Sequence, residues 1–276
     1  MNSRAWVFAL LALAPLGAHA AEQSFTRTIR LKDRLDLAIV SGAGTIQISQ
    51  GPAGRLTITG HVKANDWRPS DDRLRDIAAN PPIQQDQNIV RIGSTEELAH
   101  VIIDYEIEAP ADSVIQASAG VGDIFDDGVG RGARFSTGAG DIHATGLLGN
   151  IEVSSKEGNI EVEQAGQGEV KATSGTGNLN LHNVHGTLHA STDGGSVTVS
   201  GVPAGDWLVQ TGRGSIEIAL GNAACTLDAE TGDGVVESKL QIESAAASDP
   251  RHLAGTIRGG GHNVSLKAGQ GDIRIR

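Results

Sequence analysis

The side chains best placed to do chemistry recur directly behind glycine. "VGDIF", "GAGDIHA" and "GQGDIRI" set Asp123, Asp141 and Asp272 after Gly122, Gly140 and Gly271. A glycine-rich turn cradles phosphate when it runs into a helix whose N-terminal amides meet the anion. Here Ile142 and Ala144, or Ile273 and Ile275, follow the turn in strict alternation, which is the pattern of a strand. That argues against a nucleotide loop. Calcium-binding nonapeptide rolls need an aspartate at a fixed place in every turn, because carboxylate oxygens must surround the ion. The equivalent positions hold Thr45, Asn159, Asn178, Ser196, Ser215 and Val235. Hydrogen-bonded turns explain that mixture better than metal ligation does. Asp123 and Asp141 stay as weak candidates for a single ion, and no cofactor is expected.

Two further sets could act. His182, His185 and His189 are the densest histidine cluster, but neither Cys nor an acidic residue stands at ligand spacing, which points to surface histidines. Glu161, Glu217 and Glu237 share an outward row. Glu217 and Glu237 are expected side by side at about 5 Å, the separation of a retaining glycosidase pair. Polysaccharide-cleaving β-helices also need pocket-forming loops and aromatic platforms. Beyond residue 20 the aromatics are Phe25, Trp67, Tyr105, Phe125, Phe135 and Trp207, and the last two read inward. A flat carboxylate row is more simply a solvated surface, so no catalytic residue is assigned and a non-enzymatic protein is expected.

The elements that position these residues are set by a repeat. Turn glycines fall at Gly44, Gly122, Gly140, Gly158, Gly177, Gly195, Gly214, Gly234 and Gly271, with steps of 18, 18, 19, 18, 19 and 20 residues from Gly122 to Gly234. A near-fixed period of this length marks stacked units. Two residues and four residues after each glycine stand apolar pairs such as Ile160/Val162 and Ile216/Ile218. Seven and five residues before it stand others, such as Ile151/Val153 and Trp207/Val209. Alternation with period two makes both segments half-buried strands. The expected fold is therefore all-β, a parallel β-solenoid with coils of about 18–20 residues and about 4.8 Å between coils. Outward Arg134, Glu152 and Lys171 should stack with alternating sign. Asp126 and Ser238 fall at inward positions, so the register is expected to break near both ends.

The ends differ from the middle. Residues 1–20, "MNSRAWVFALLALAPLGAHA", have one basic residue, an apolar run and a small-x-small close, which reads as a secretory signal peptide with cleavage before Ala21. Residues 21–116 lack the beat and read as a strand-rich opening portion holding the first coil, with one short helix from Ser70 to Ala79. Residues 117–276 carry the repeats, interrupted by a polar loop at 239–261. The last strand, "GDIRIR", is expected to leave an open edge at Gly271–Arg276 through which the protein self-associates or captures a partner. The formal net charge of −11 argues against nucleic acid or anionic lipid as partner. Cys225 is the single cysteine, so no intrachain disulfide can form.

"LDLAIVSGAGTIQISQGPAGRLTITGHV", "DYEIEAPADSVIQASAGVGDI" and "GTIRGGGHNVSLKAGQGDIRIR", with the repeated T-G-x-G-[DNS]-[IVL] units, resemble the bacterial putative-adhesin β-strand repeat family, related to adhesin-head GIN-type domains. The resemblance covers nearly all of the chain after residue 20. It implies a β-solenoid at the bacterial cell envelope, in periplasm or outside the cell, that contacts another envelope protein or surface component. It supplies no catalytic residues. An envelope glycan is the alternative ligand, whether bound or processed.

Overall fold

The computed structural model describes residues 22–64, 71–93, 101–243 and 249–276. The expected signal segment 1–20, Trp67, the helix-capping Ser70 and residues 244–248 of the polar insertion lie outside the described residues. The rest is all-β with one helix. The opening portion comprises β1 (Glu22–Arg30), β2 (Asp36–Ala43), β3 (Ile46–Gln50), β4 (Arg55–Ala64), α1 (Asp71–Ala79), β5 (Ile83–Asp86), β6 (Ile89–Ile92) and β7 (Val101–Ala109). The repeats begin with β8 (Val114–Val121), β9 (Ile124–Asp127), β10 (Ala133–Ala139), β11 (Ile142–Leu147), β12 (Ile151–Glu157), β13 (Ile160–Gln164) and β14 (Val170–Thr176). Two long strands follow, β15 (Leu179–Gly194) and β16 (Val197–Arg213), then β17 (Ile216–Ala219), β18 (Cys225–Asp233) and β19 (Val236–Ser238). The chain closes with β20 (His252–Ile257), β21 (His262–Gln270) and β22 (Ile273–Ile275). All join one mixed sheet.

Within it run two parallel ladders. One aligns Leu37, Ile115, Ala133, Ile151, Val170, Leu188, Trp207 and Val264, each opposite the next. The other aligns Ile46, Ile124, Ile142, Ile160, Leu179, Val197, Ile216 and Ile273. All of these are buried, so like stands over like and the core is a set of aliphatic columns. A slip of one residue would turn every column to solvent, which is what holds the register. Trp207, 1% exposed, joins its column because its Nε1–H finds the Gly186 carbonyl at 2.8 Å.

Asp126 corrects one expectation. It lies between Ile48 and Ala144 in unbroken register, and Ser238 pairs with Ile275 equally regularly. At Asp126 column packing on both sides overrides the unfavourable side chain.

The opening coil, β2 and β3, lies parallel on β8 and β9, and its far side is covered by β6 and β7. β7, β4 and β1 continue as antiparallel neighbours, with α1 packed on β4 and β1 and its Leu74 buried. Covering the first coil removes an edge that would otherwise pair indiscriminately.

The C-terminal end overturns three expectations. β21 lies between β16 and β18, and β22 between β17 and β19, so the last repeat in sequence is not the last in space. Gly271–Arg276 therefore offers no open edge, because β22 is paired on both sides. Arg274 separates Glu217 from Glu237, so those carboxylates are not neighbours. The insertion is no mere loop, since β20 runs antiparallel along the outer side of β18. Arg258, Gly259 and Gly260 at φ 52°, 84° and 84° swing the chain around the end of β18, from its outer to its inner side. Arg258 fixes the turn by donating to the Gly221 and Ala223 carbonyls at 3.1 and 2.9 Å.

Candidate functional site

Each repeat turn sets its polar residue against the next repeat. Asp123 Oδ1 accepts the Asp141 N–H at 2.8 Å, and Asp141 Oδ1 accepts the Asn159 N–H at 2.7 Å. Asn159 and Asn178 continue the ladder to the Asn178 and Ser196 amides, and Ser196 and Ser215 finish it through their hydroxyls. Asp272 takes the Val235 N–H at 3.1 Å, and Asp104 closes the other end on Thr45 at 2.8 Å. Asp104 is partly desolvated, yet the Thr45 N–H and Lys63 ammonium hold its carboxyl below the usual range. These oxygens serve as acceptors for backbone donors, a role that Asp, Asn and Ser fill alike. Among the described residues no group of three or more His, Cys, Asp or Glu could hold a metal ion.

The glycines at these corners are required by contact as well as by conformation. Gly140 has φ 146°, and a Cβ there would run into the Gly122 carbonyl. Equivalent collisions recur at Gly122, Gly158, Gly177, Gly195, Gly214, Gly271 and Gly234, each against the stacked corner of a neighbouring repeat, and at Gly44 against the Ile103 carbonyl of β7. Gly234 alone of these keeps a φ outside the left-handed region, so close approach is its reason.

A second ladder escaped sequence reasoning. Thr137, Ser155, Ser174, Thr192, Thr211 and Thr231 are buried, and each hydroxyl donates to a corner-glycine carbonyl of the neighbouring repeat at 2.7–3.1 Å. The signal was a Ser or Thr three residues before the turn glycine, on the inward parity where apolar residues were sought. Burial of these hydroxyls is tolerable because each is hydrogen-bonded.

The outward residues pair along the stack. Arg134 meets Glu152 at 2.6 Å and Lys171 meets it at 3.8 Å, giving the alternating row. Phe125 stacks on His143 with centroids 5.3 Å apart, and His143 Nδ1 lies 3.1 Å from Glu161. Arg276 pairs with Glu217 at 2.6 Å and Arg274 approaches Glu237 at 3.9 Å. The histidines do not converge: His182 Nδ1 contacts Ser200 Oγ at 3.4 Å, His185 Nδ1 contacts the Asn183 carbonyl at 2.7 Å, and His189 stands beside Lys171. Inside, Asp126 is 3% exposed; Oδ1 accepts the Val129 N–H at 3.0 Å and Oδ2 has no partner. Burial pushes this carboxyl up to about 8. Cys225 is also buried, which pushes its thiol up and away from reactivity.

Residues 53–276 match the family described as Toastrack DUF4097. The chain belongs to that family. No curated protein matches it. Among solved structures, a "putative cell adhesion protein" from Clostridium sporogenes is 14% identical, with 92% of this chain and 98% of that one covered, at a TM-score of 0.29. A "putative adhesin" from Bacteroides fragilis is 15% identical, with 92% and 97% covered, at 0.28. Another from Parabacteroides merdae is 9% identical, with 92% and 96% covered, at 0.39.

In the Toastrack chain an open trough of about 630 Å³ runs along the ladder of β8, β10, β12 and β14. Its floor is the row Ser118, Ser136, Ser154, Thr173 and Ser191, with Ser136 donating to Ser118 at 3.1 Å. Along one wall Gly120, Gly138 and Gly175 alternate with the side chains of Lys156 and Asp193. The trough leads past Ser191 and Asp193 into a second of about 420 Å³. Among the described residues no helix is long and apolar enough to cross a membrane.

Proposed function

We propose that this chain is an exported, non-enzymatic parallel β-solenoid that holds another envelope component along its repeat face. The trough carries this reading: it crosses several repeats with hydroxyls in register and is open along its length, suiting an extended surface contact more than a reacting small molecule. The outward carboxylates support it, since Glu152, Glu161 and Glu217 are engaged by Arg134, His143 and Arg276 instead of converging on a common point. Export is supported by the signal-like composition of residues 1–20. The closer kinship with adhesin-head GIN-type domains belongs to the same proposal.

Crosslinking in intact cells from a residue on the trough rim, Lys156, followed by identification of the captured species, tests it. The expected product is an envelope protein, and S154Y, which fills the trough, should abolish it. Capture that S154Y leaves unchanged would move the contact elsewhere. Hydroxyl rows also suit a polysaccharide. Retention on purified cell-wall glycan without release of reducing ends would favour glycan binding, and release of reducing ends would overturn the non-enzymatic reading.

A further inference from the structure

β22 is closed on both sides, but one long edge is not. Among the described residues β1 pairs with β4 only, over all nine of its residues. The other strands paired with a single neighbour are shorter: six residues in β20, four in β5 and three in β19. β1 contains no proline, lysine or bulge that would blunt it.

Its geometry selects a partner. The Leu31 N–H, just past the strand, bonds the Gly54 carbonyl at 2.9 Å and so points toward β4. Backbone direction alternates along a strand, so Glu22, Ser24, Thr26, Thr28 and Arg30 turn their N–H and C=O groups away from β4. These same residues are exposed, while Phe25 is buried and Gln23 and Ile29 are half-buried on the opposite face. Antiparallel pairing of β1 with β1 of a second copy, centred on Thr26, sets Ser24 opposite Thr28 and Glu22 opposite Arg30, twice over. Every outward backbone group then meets another outward group, and opposite charges meet at both ends.

We infer that β1 is a homodimerisation edge: two copies join about a two-fold axis at Thr26, making one continuous sheet across the pair. An isologous contact of this kind closes on itself, so it yields dimers and not fibres. Main-chain bonds supply affinity, and the Glu22–Arg30 pairs fix the register. The inference does not rest on the trough or on its ligand.

Sedimentation of the natural chain over micromolar concentrations tests it, with circular dichroism to verify folding of each variant. The natural chain should be dimeric at the upper concentrations. R30E should weaken the dimer about tenfold, as two opposite-charge pairs become like-charge pairs, and E22Q/R30E, which removes the repulsion without setting a cation beside Lys63, should recover part of it. T26P removes an outward donor without touching a β4 bond and should give a monomer. T26C should join the two copies through a short thiol-to-thiol crosslinker, because facing Cα atoms in a hydrogen-bonded antiparallel pair are about 5.5 Å apart. Cys225 is buried and does not compete. A natural chain that stays monomeric overturns the inference. So does a dimer indifferent to both R30E and T26P.

Discussion

At the scale of single residues, Asp126 is the side chain most at odds with its surroundings. Its column holds Ile48 and Ala144 on either side, and one carboxylate oxygen lacks a partner. With the group raised to about 8 in the fold and ordinary when unfolded, the unfolded chain alone is ionised between those values. Unfolding then releases a proton. This group's contribution is full below the ordinary carboxylate range and falls by about 1.4 kcal/mol per pH unit until the folded group itself ionises. D126N keeps the acceptor for Val129 and removes the charge. It should match the natural protein near pH 4, exceed it in denaturant midpoint at pH 9, and flatten the profile between. Thr192 offers the opposite case, a buried polar group fully used. T192V keeps the shape but strands the Gly177 carbonyl, and should cost about 1–3 kcal/mol in urea unfolding.

At the scale of elements, the corner between paired strands is the critical unit. G140A meets both a left-handed backbone and the Gly122 carbonyl, and should destabilise by roughly 2–4 kcal/mol, seen as a lowered Tm. The alternation that made Ile142, Ala144, Ile160 and Val162 readable as inward is fully realised, and so is the stacking of Arg134, Glu152 and Lys171. The buried hydroxyl ladder was overlooked because a Ser or Thr on the inward parity looks like a lapse in the pattern until the neighbouring repeat's carbonyl is seen above it. Asp123 and Asp141 looked open to metal for the complementary reason: in sequence their acceptors are free, and in space an amide 18 residues away takes one oxygen of each. Adding Ca²⁺ should therefore leave the Tm unchanged, as scanning calorimetry with and without chelator would register.

At the scale of the molecule, strand order decides what the ends can do. Deleting Gly271–Arg276 trims nothing from a free tip; it removes the strand between β17 and β19. The expected result is a Tm lower by about 10 °C or an insoluble product, since each kcal/mol lost costs a few degrees in a chain of this size. The mirror-image deletion at the other end, residues 22–30, would uncover β4 and remove the buried Phe25 that packs on it.

The period, the all-β class, the inward columns and the corner glycines were determined by the sequence alone, because each arises from contacts between residues 18 to 20 positions apart that share one pattern. Three features were decided only by tertiary structure: the insertion of β21 and β22 between earlier strands, the burial of Asp126 without a register break, and the longest open edge at β1 in place of Gly271–Arg276. Each depends on which strands are neighbours in space. A repeat whose units are interchangeable does not encode that order, and here the left-handed turn at Arg258–Gly260 and the covering strands of the opening portion select it.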